Sequence, residues 1–299
     1  MKTSGPSPVV LPEVLRYATF TTDPNAGNPA GVVLDAHGLT TETMQDIARD
    51  VGYSETAFAV RDILGIRVRY FSPLTEVDFC GHATIALACA YAARHGTGTV
   101  TFATNAGAIP VTTKTWDGHV TATLTSAPPR VAALTPATLT ELLIALRWRP
   151  DDLDNHLPAK VAWAGNWHPI LAAATPERLA NLDYDSDVLT ATMRAYGWTT
   201  IQLVHRTAPD EYTARNPFPI GGVFEDPATG SAAAALGGYL REQDLVRAPA
   251  TITVHQGHYI NQPSTIHVHI PPTGGIHVTG AAVDIPKNTS ETGAEWAAS

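Results

Sequence analysis

Short runs in which apolar and polar side chains alternate recur along the chain, and two stretches break the pattern because nearly every side chain in them is small. Residues 14–20, 56–60 and 66–72 read as strands. In the last, Ile66, Val68 and Tyr70 share one face while Arg67, Arg69 and Phe71 share the other. Asn28-Pro29 predicts a turn leading into a strand through Val32, Val33 and Leu34. Residues 99–103, 108–115 and 119–124 continue the alternation, with Asp117-Gly118 as a hairpin signal between the last two. Further strands are expected at 169–173, 200–204, 212–215, 251–255, 265–270 and 276–279.

Helical spacing is confined to fewer segments. In 41–51, Met44, Ile47, Ala48 and Val51 keep the i, i+3, i+4, i+7 pattern, and Gly52 supplies a stop. Thr135-Pro136 heads a helix to about residue 146, and Thr175-Pro176 heads a short one. A further helix over 187–196 is closed by Gly197.

The two small-residue stretches organise the rest. Residues 222–240 run through Asp226-Pro227-Ala228-Thr229-Gly230-Ser231 into an alanine run, and residues 78–91 run through Asp78-Phe79-Cys80-Gly81-His82 into a similar one. Each reads as a polar or reactive residue, a glycine, then a small-residue helix with a tyrosine (Tyr91, Tyr239) near its end. Such a helix packs closely inside a sheet, and its first N–H groups, around Gly230 and Ser231, form a natural anion site. The repetition implies an internal duplication and an α+β fold of two similar halves. Ser126-Ala127-Pro128-Pro129 marks the linker, so residues 1–127 form one half and 128–275 the other. Residues 286–299 lack apolar periodicity and are expected to be a mobile tail.

Composition narrows the possible functions. At 299 residues the chain is long enough for two domains with their own cores, and 44% apolar with 16% charged residues is globular but charge-poor. A net charge of −9 and the lack of any Lys/Arg cluster argue against nucleic acid or an anionic membrane as a partner. Residues 1–8 lack the apolar core of a signal peptide, and no apolar run could span a membrane, so a soluble, cytoplasmic protein is expected. The two cysteines, Cys80 and Cys89, lie on one helix and its lead-in, which excludes a disulfide framework. Among the histidines, His267 and His269 share a strand face and His255 is near His258, but no carboxylate completes a set, so no metal site is expected. No nucleotide-binding or Gly-x-Ser-x-Gly string is present, and no cofactor is expected.

Asn28-Pro29, Ser54-Glu55-Thr56, Phe71-Ser72-Pro73, Gly81-His82-Ala83-Thr84, the string from Glu225 to Ala232, and Gln256-Gly257 occur in an order that resembles the PhzF-like family of phenazine-biosynthesis isomerases. The resemblance runs from about residue 14 to about 283. It implies the diaminopimelate-epimerase fold, two pseudo-symmetric domains, each a curled, mostly antiparallel sheet around a central helix, with the active site between the two helix N-termini. It also implies a return strand near 276–285 that completes the first domain, and often a homodimer. Gln262 stands where many relatives carry an arginine, which removes the usual charge near that turn.

By that resemblance Glu55 is the proton carrier, moving a proton between carbons of the substrate, with His82 and Asp226 lining the pocket and assisting. A carboxylate with an ordinary pKa is a poor base for carbon, so Glu55 is expected to be desolvated, and its neighbours Tyr53, Ala57 and Phe58 permit this. Ser54, Cys80, Gly81, Gly230, Ser231 and Gln256 are the expected substrate contacts. The glycines and Ser231 would offer N–H groups to a carboxylate or enolate. The resulting expectation is a cofactor-independent isomerase of a small carboxylate-bearing metabolite, similar to trans-2,3-dihydro-3-hydroxyanthranilate isomerase. Two other classes stay open. Related epimerases use one cysteine from each half, and here Cys80 remains while Asp226 occupies the second position, so an amino-acid epimerase would need an unequal pair. A non-catalytic small-molecule binding protein is the third.

Overall fold

Strands of the first half wrap a helix buried on every side from His82 to Ala90. The computed structural model describes residues 12–63 and 65–286, so residues 1–8 and nearly all of the tail expected at 286–299 lie outside the described residues. β1 (Leu15–Thr19) pairs antiparallel with β2 (Asn28–Val33). After α1 (Thr41–Val51) comes β3 (Thr56–Asp62), parallel to β2, then β4 (Gly65–Phe71), antiparallel to β3, and the two-residue β5 (Glu76–Val77) on the end of β4. The central helix α2 (Gly81–His95) leads to a meander of β6 (Thr99–Thr104), β7 (Gly107–Trp116) and β8 (His119–Thr125), and β6 lies parallel to β4.

The second half repeats the plan. β9 (Arg130–Ala133), α3 (Pro136–Leu146), β10 (Lys160–Trp163), β11 (Trp167–Ala172), α4 (Pro176–Ala180) and α5 (Ser186–Tyr196) precede β12 (Gln202–Ala208) and β13 (Glu211–Arg215). A small hairpin, β14 (Pro217–Phe218) with β15 (Val223–Glu225), delivers the chain to α6 (Gly230–Glu242), followed by β16 (Ala250–Gln256), β17 (Ser264–Ile270) and β18 (His277–Asp284). The sheet runs β9-β10-β11-β12-β13-β16-β17-β18 around α6. β18 also pairs with both β8 and β1, which closes the first sheet into a ring around α2. The ring and the curled second sheet give the α+β, diaminopimelate-epimerase-like architecture. Among the described residues no helix is long and apolar enough to cross a membrane.

Residue size explains the two centres. From Ala83 to Ala90 every residue of α2 is buried, and so is every residue of α6 from Ala232 to Leu240. A helix buried on all sides needs small side chains to let strands approach. At Gly238 the demand is absolute, since a Cβ would lie 2.3 Å from Pro129 Cβ in the linker. The outer helices are ordinary amphipathic covers. α1 buries Met44, Ile47 and Ala48 against Phe58 and Phe71, and α3 with α5 covers β10–β12 through Leu142, Leu146, Leu189 and Met193.

One local reading is corrected. Asn28-Pro29 is the start of β2 and not a turn; Gly27, at φ 72°, makes the bend. Proline is tolerated there because it sits at the strand's first residues, before the parallel pairing with β3 begins at Gly31. The strands β9 and β10 were not read from the sequence, being only four residues each and mixed with Ala, Arg and Lys.

Candidate active site

Helix capping separates α2 and α6 from the other helices. Thr40, Thr135, Thr175 and Asp185 cap α1, α3, α4 and α5 by accepting a first-turn N–H. The residues before α2 and α6, Cys80 and Thr229, make no such side-chain cap. Thr229 instead donates its hydroxyl to Asp226 Oδ2 at 2.6 Å. The first turns of the two central helices therefore keep N–H groups for another acceptor.

His82, in the first turn of α2, is the hub of the site. Its Nδ1 lies 3.2 Å from Cys80 Sγ, and its Nε2 lies 3.2 Å from Ser54 Oγ and 3.5 Å from Glu55 Oε2. Ser54 and Glu55 immediately precede β3, whose pairing with β2 and β4 fixes them over the start of α2. Burial pushes the Cys80 thiol well above its usual range, and the Glu55 charge adds to the shift. A thiol held protonated has two acceptors within reach, Nδ1 of His82 and the Glu55 carboxylate.

Asp226, from the second half, lies within electrostatic reach of the same imidazole. Its Oδ1 accepts from Asn28 Nδ2 at 2.9 Å, and Asn28 also donates to the Ala228 carbonyl at 3.0 Å. Burial raises the Asp226 pKa from 3.8 to about 6, opposed by His82 and the Thr229 hydrogen bond and helped by the Glu55 charge. Asp226, which the sequence had assigned an assisting role, is thus raised toward the working range. The Glu55 side chain keeps 20% of its exposure, against 9% for His82.

Gln256, expected from the sequence as a substrate contact, is buried at the end of β16. Its carboxamide accepts from Thr229 N at 3.1 Å and donates to the Asp226 carbonyl at 2.7 Å and to Thr229 Oγ1 at 3.1 Å, so these three bonds all go to the loop before α6. It braces that loop from within the core, with both of its N–H donors committed to the loop. Gly81 and Gly230 are the first residues of α2 and α6, and a Cβ on Gly230 would come within 3.3 Å of Phe20 Cζ. Ser231 contacts His168 Nε2 at 3.1 Å.

A buried ion pair supports Asp226 from the other side. Arg215 Nε donates to Glu225 Oε2 at 2.9 Å, its NH2 donates to Oε1, and its NH1 donates to the Ala180 carbonyl at 2.7 Å. Asn28, Thr229, Arg215 and His168 were not read as site residues. Asn28 and Thr229 sat inside recognised strings, whereas nothing near His168 or Arg215 in the sequence marks them. Glu55, Cys80 and His82 also present one ligand atom each within 4.8 Å of one another, a donor set of carboxylate, thiol and imidazole that suits a zinc-like ion. The histidines considered for a metal in the sequence, on β16, β17 and the turn between them, are not part of it.

Comparison with known proteins gives the family and the fold. Residues 17–287 match the family model described as phenazine biosynthesis-like protein. The chain is 31% identical over 288 residues to the uncharacterized isomerase YfhB of Bacillus subtilis, covering 91% of this chain and 96% of that one. It is 28% identical to the trans-2,3-dihydro-3-hydroxyanthranilate isomerase of Pseudomonas aeruginosa, covering 85% and 89%. Among solved structures, the PhzF-family phenazine biosynthesis protein of Bacillus anthracis superposes with a TM-score of 0.81 at 29% identity, covering 91% and 96%. A probable proline racemase of Agrobacterium radiobacter shares the fold at a TM-score of 0.61 and 12% identity, with 90% of each chain covered.

Proposed function

The chain belongs to the phenazine biosynthesis-like family and is an isomerase, and from that premise we propose that it shifts a proton between carbons of a small carboxylate-bearing metabolite without a cofactor. One observation carries the reading: Glu55 Oε2 stands 3.5 Å from His82 Nε2 while the buried Asp226 carboxyl, raised to about 6, lies within electrostatic reach of the same ring from the other half.

In this mechanism the Glu55 carboxylate takes a proton from a substrate carbon. The electrons of the broken C–H bond move into the adjoining π-system, giving a dienol or enamine. Glu55 then returns the proton to another carbon, so no oxidant or reductant is needed. N–H groups of the uncapped first turns of α2 and α6 hold the anionic groups of the substrate. Asp226, near half protonation around pH 6, and His82 exchange hydrogen bonds with the substrate's amine or hydroxyl. The relative from Pseudomonas aeruginosa motivates trans-2,3-dihydro-3-hydroxyanthranilate as the first substrate to try. A homodimer in the cytoplasm, in secondary metabolism, completes the proposal.

The test is proton NMR in D₂O with that compound and then with cyclic amino and hydroxy acids, using wild type and Glu55→Gln. A double-bond shift lost in Glu55→Gln supports the isomerisation. Deuterium entering an α-carbon with inversion and no bond shift supports an epimerase instead. Cys80, 3.2 Å from His82 Nδ1, is the observation that keeps this second reading. Tight binding by Glu55→Gln with no turnover by wild type would leave only the binding protein.

A further inference from the structure

Behind Ser231 lies a chain of polar side chains, closed off from solvent, that the catalytic scheme does not use. His168 on β11, Thr200 ahead of β12 and Asn216 after β13 are all buried. Asn216 Nδ2 donates to Thr200 Oγ1 at 2.9 Å, Thr200 Oγ1 lies 2.9 Å from His168 Nδ1, and His168 Nε2 lies 3.1 Å from Ser231 Oγ. Burial lowers the His168 pKa to about 4, so near neutrality the ring is uncharged, with one nitrogen donating and the other accepting.

The donors and acceptors fix a direction. Thr200 Oγ1 receives the Asn216 N–H, and the partners it has are Asn216 and His168, so its own hydrogen goes to His168 Nδ1. The ring proton then resides on Nε2 and is donated to Ser231 Oγ. Ser231 accepts from inside the core, and its hydroxyl hydrogen is left to point outward from the first turn of α6. In the other tautomer Nδ1 would donate to Thr200, whose carbonyl lies 3.3 Å away, and the Thr200 hydroxyl hydrogen would be buried without an acceptor. Turning the Asn216 amide round would reverse every arrow. That orientation would leave the Asn216 NH₂ in place of a carbonyl oxygen as the buried group without a partner among the described residues; orphaned N–H groups are the rarer of the two. Asn216 also accepts the Asp226 N–H on its backbone carbonyl at 2.9 Å, so one residue anchors both the chain and the loop that bears Asp226.

We propose that the chain Asn216 → Thr200 → His168 → Ser231 is a positioning relay that holds the Ser231 hydroxyl as a donor to the substrate carboxylate. His168 is thereby a specificity-determining residue of the site. The carboxylate in this statement rests on the function proposed above, whereas the direction of the relay does not.

Nitrogen-15 NMR of the histidine side chains in the full-length, ligand-free protein, assigned with a His168→Gln spectrum, reads the direction without any substrate. Nδ1 unprotonated and Nε2 protonated are expected; the opposite tautomer overturns the relay. Binding of anthranilate and of its carboxamide then reads its use. Thr200→Val is expected to weaken anthranilate about tenfold, as loss of a hydrogen bond to a charged group does, with little change for the carboxamide, and Thr200→Ser is expected to restore it. Asn216→Asp, which can only accept from Thr200, is expected to invert the tautomer and to weaken anthranilate as Thr200→Val does. Equal weakening of both probes, or no rescue by serine, overturns the positioning role. Failure of anthranilate to bind wild type counts against the carboxylate reading alone, and the tautomer still decides the relay.

Discussion

Asn28 joins the two halves at the site itself: its amide nitrogen donates to the Asp226 carboxylate at 2.9 Å and to the Ala228 carbonyl at 3.0 Å. The first strand pair of one half thereby sets the loop before the central helix of the other. Asn28→Ala is expected to lower kcat/KM by roughly 10- to 100-fold, the cost of one hydrogen bond to a buried charge. Asn28→Asp is expected to be worse, because it places a second carboxylate against the first. Steady-state kinetics with the substrate found by NMR checks both.

Asp226 makes stability depend on pH with an unusual sign. Its folded pKa, about 6, is above the ordinary 3.8, so the folded state binds the proton more tightly than the unfolded chain. Its contribution therefore falls as pH rises from 3.8 through about 6 and is flat beyond, a loss on the order of 1–3 kcal/mol. Glu55, His82 and Cys80 face the same space, so the difference between wild type and Asp226→Asn is the quantity to follow. In thermal melts the variant is expected to gain on wild type as pH rises from 4 to 7. A constant difference over that range would contradict the raised value.

Arg215 and Glu225, with side-chain exposures of 7% and 2%, carry the load on the other side of Asp226. Removing one charge strands the other in the core. Glu225→Gln or Arg215→Met is expected to cost about 3–5 kcal/mol in urea unfolding, while the double change Arg215→Met with Glu225→Leu recovers most of it. Activity of the double variant is expected to stay low, since the Asp226 loop has lost its anchor. Recovery of full activity would show that the pair serves stability alone.

What the sequence revealed follows from which interactions are local. The two central helices were legible because burial on every side demands small residues throughout, a constraint written in consecutive positions such as those from Ala232 to Leu240. The ring closure was not readable from alternation, because β18 pairs with β1 across almost the entire chain and its residues carry only the pattern of a half-buried strand. Glu55, His82 and Asp226 were placed through a family resemblance; the structure sets Glu55 3.5 Å from His82 and couples Asp226 to both electrostatically. The shifted carboxyl of Asp226, the bracing by Gln256 and the relay through His168 depend on long-range burial and on partners from distant elements. No spacing in the sequence records them.

Cys80 separates the isomerase from the epimerase by its chemistry. Its thiol is buried, held well above the ordinary pKa and 3.2 Å from His82 Nδ1, which suits a hydrogen-bond donor better than a carbon base. If it serves His82, serine can take its place: Cys80→Ser is expected to keep kcat within about tenfold of wild type, whereas Cys80→Ala frees Nδ1 and lowers kcat further. If it were one of two opposed bases, serine would be nearly as damaging as alanine, and solvent deuterium would stop entering the α-carbon in both variants. Wild type should also react slowly with iodoacetamide at pH 7, and faster once urea exposes the thiol. The kcat ratio of Cys80→Ser to Cys80→Ala, measured beside deuterium uptake, therefore assigns the cysteine to hydrogen bonding or to proton transfer from carbon.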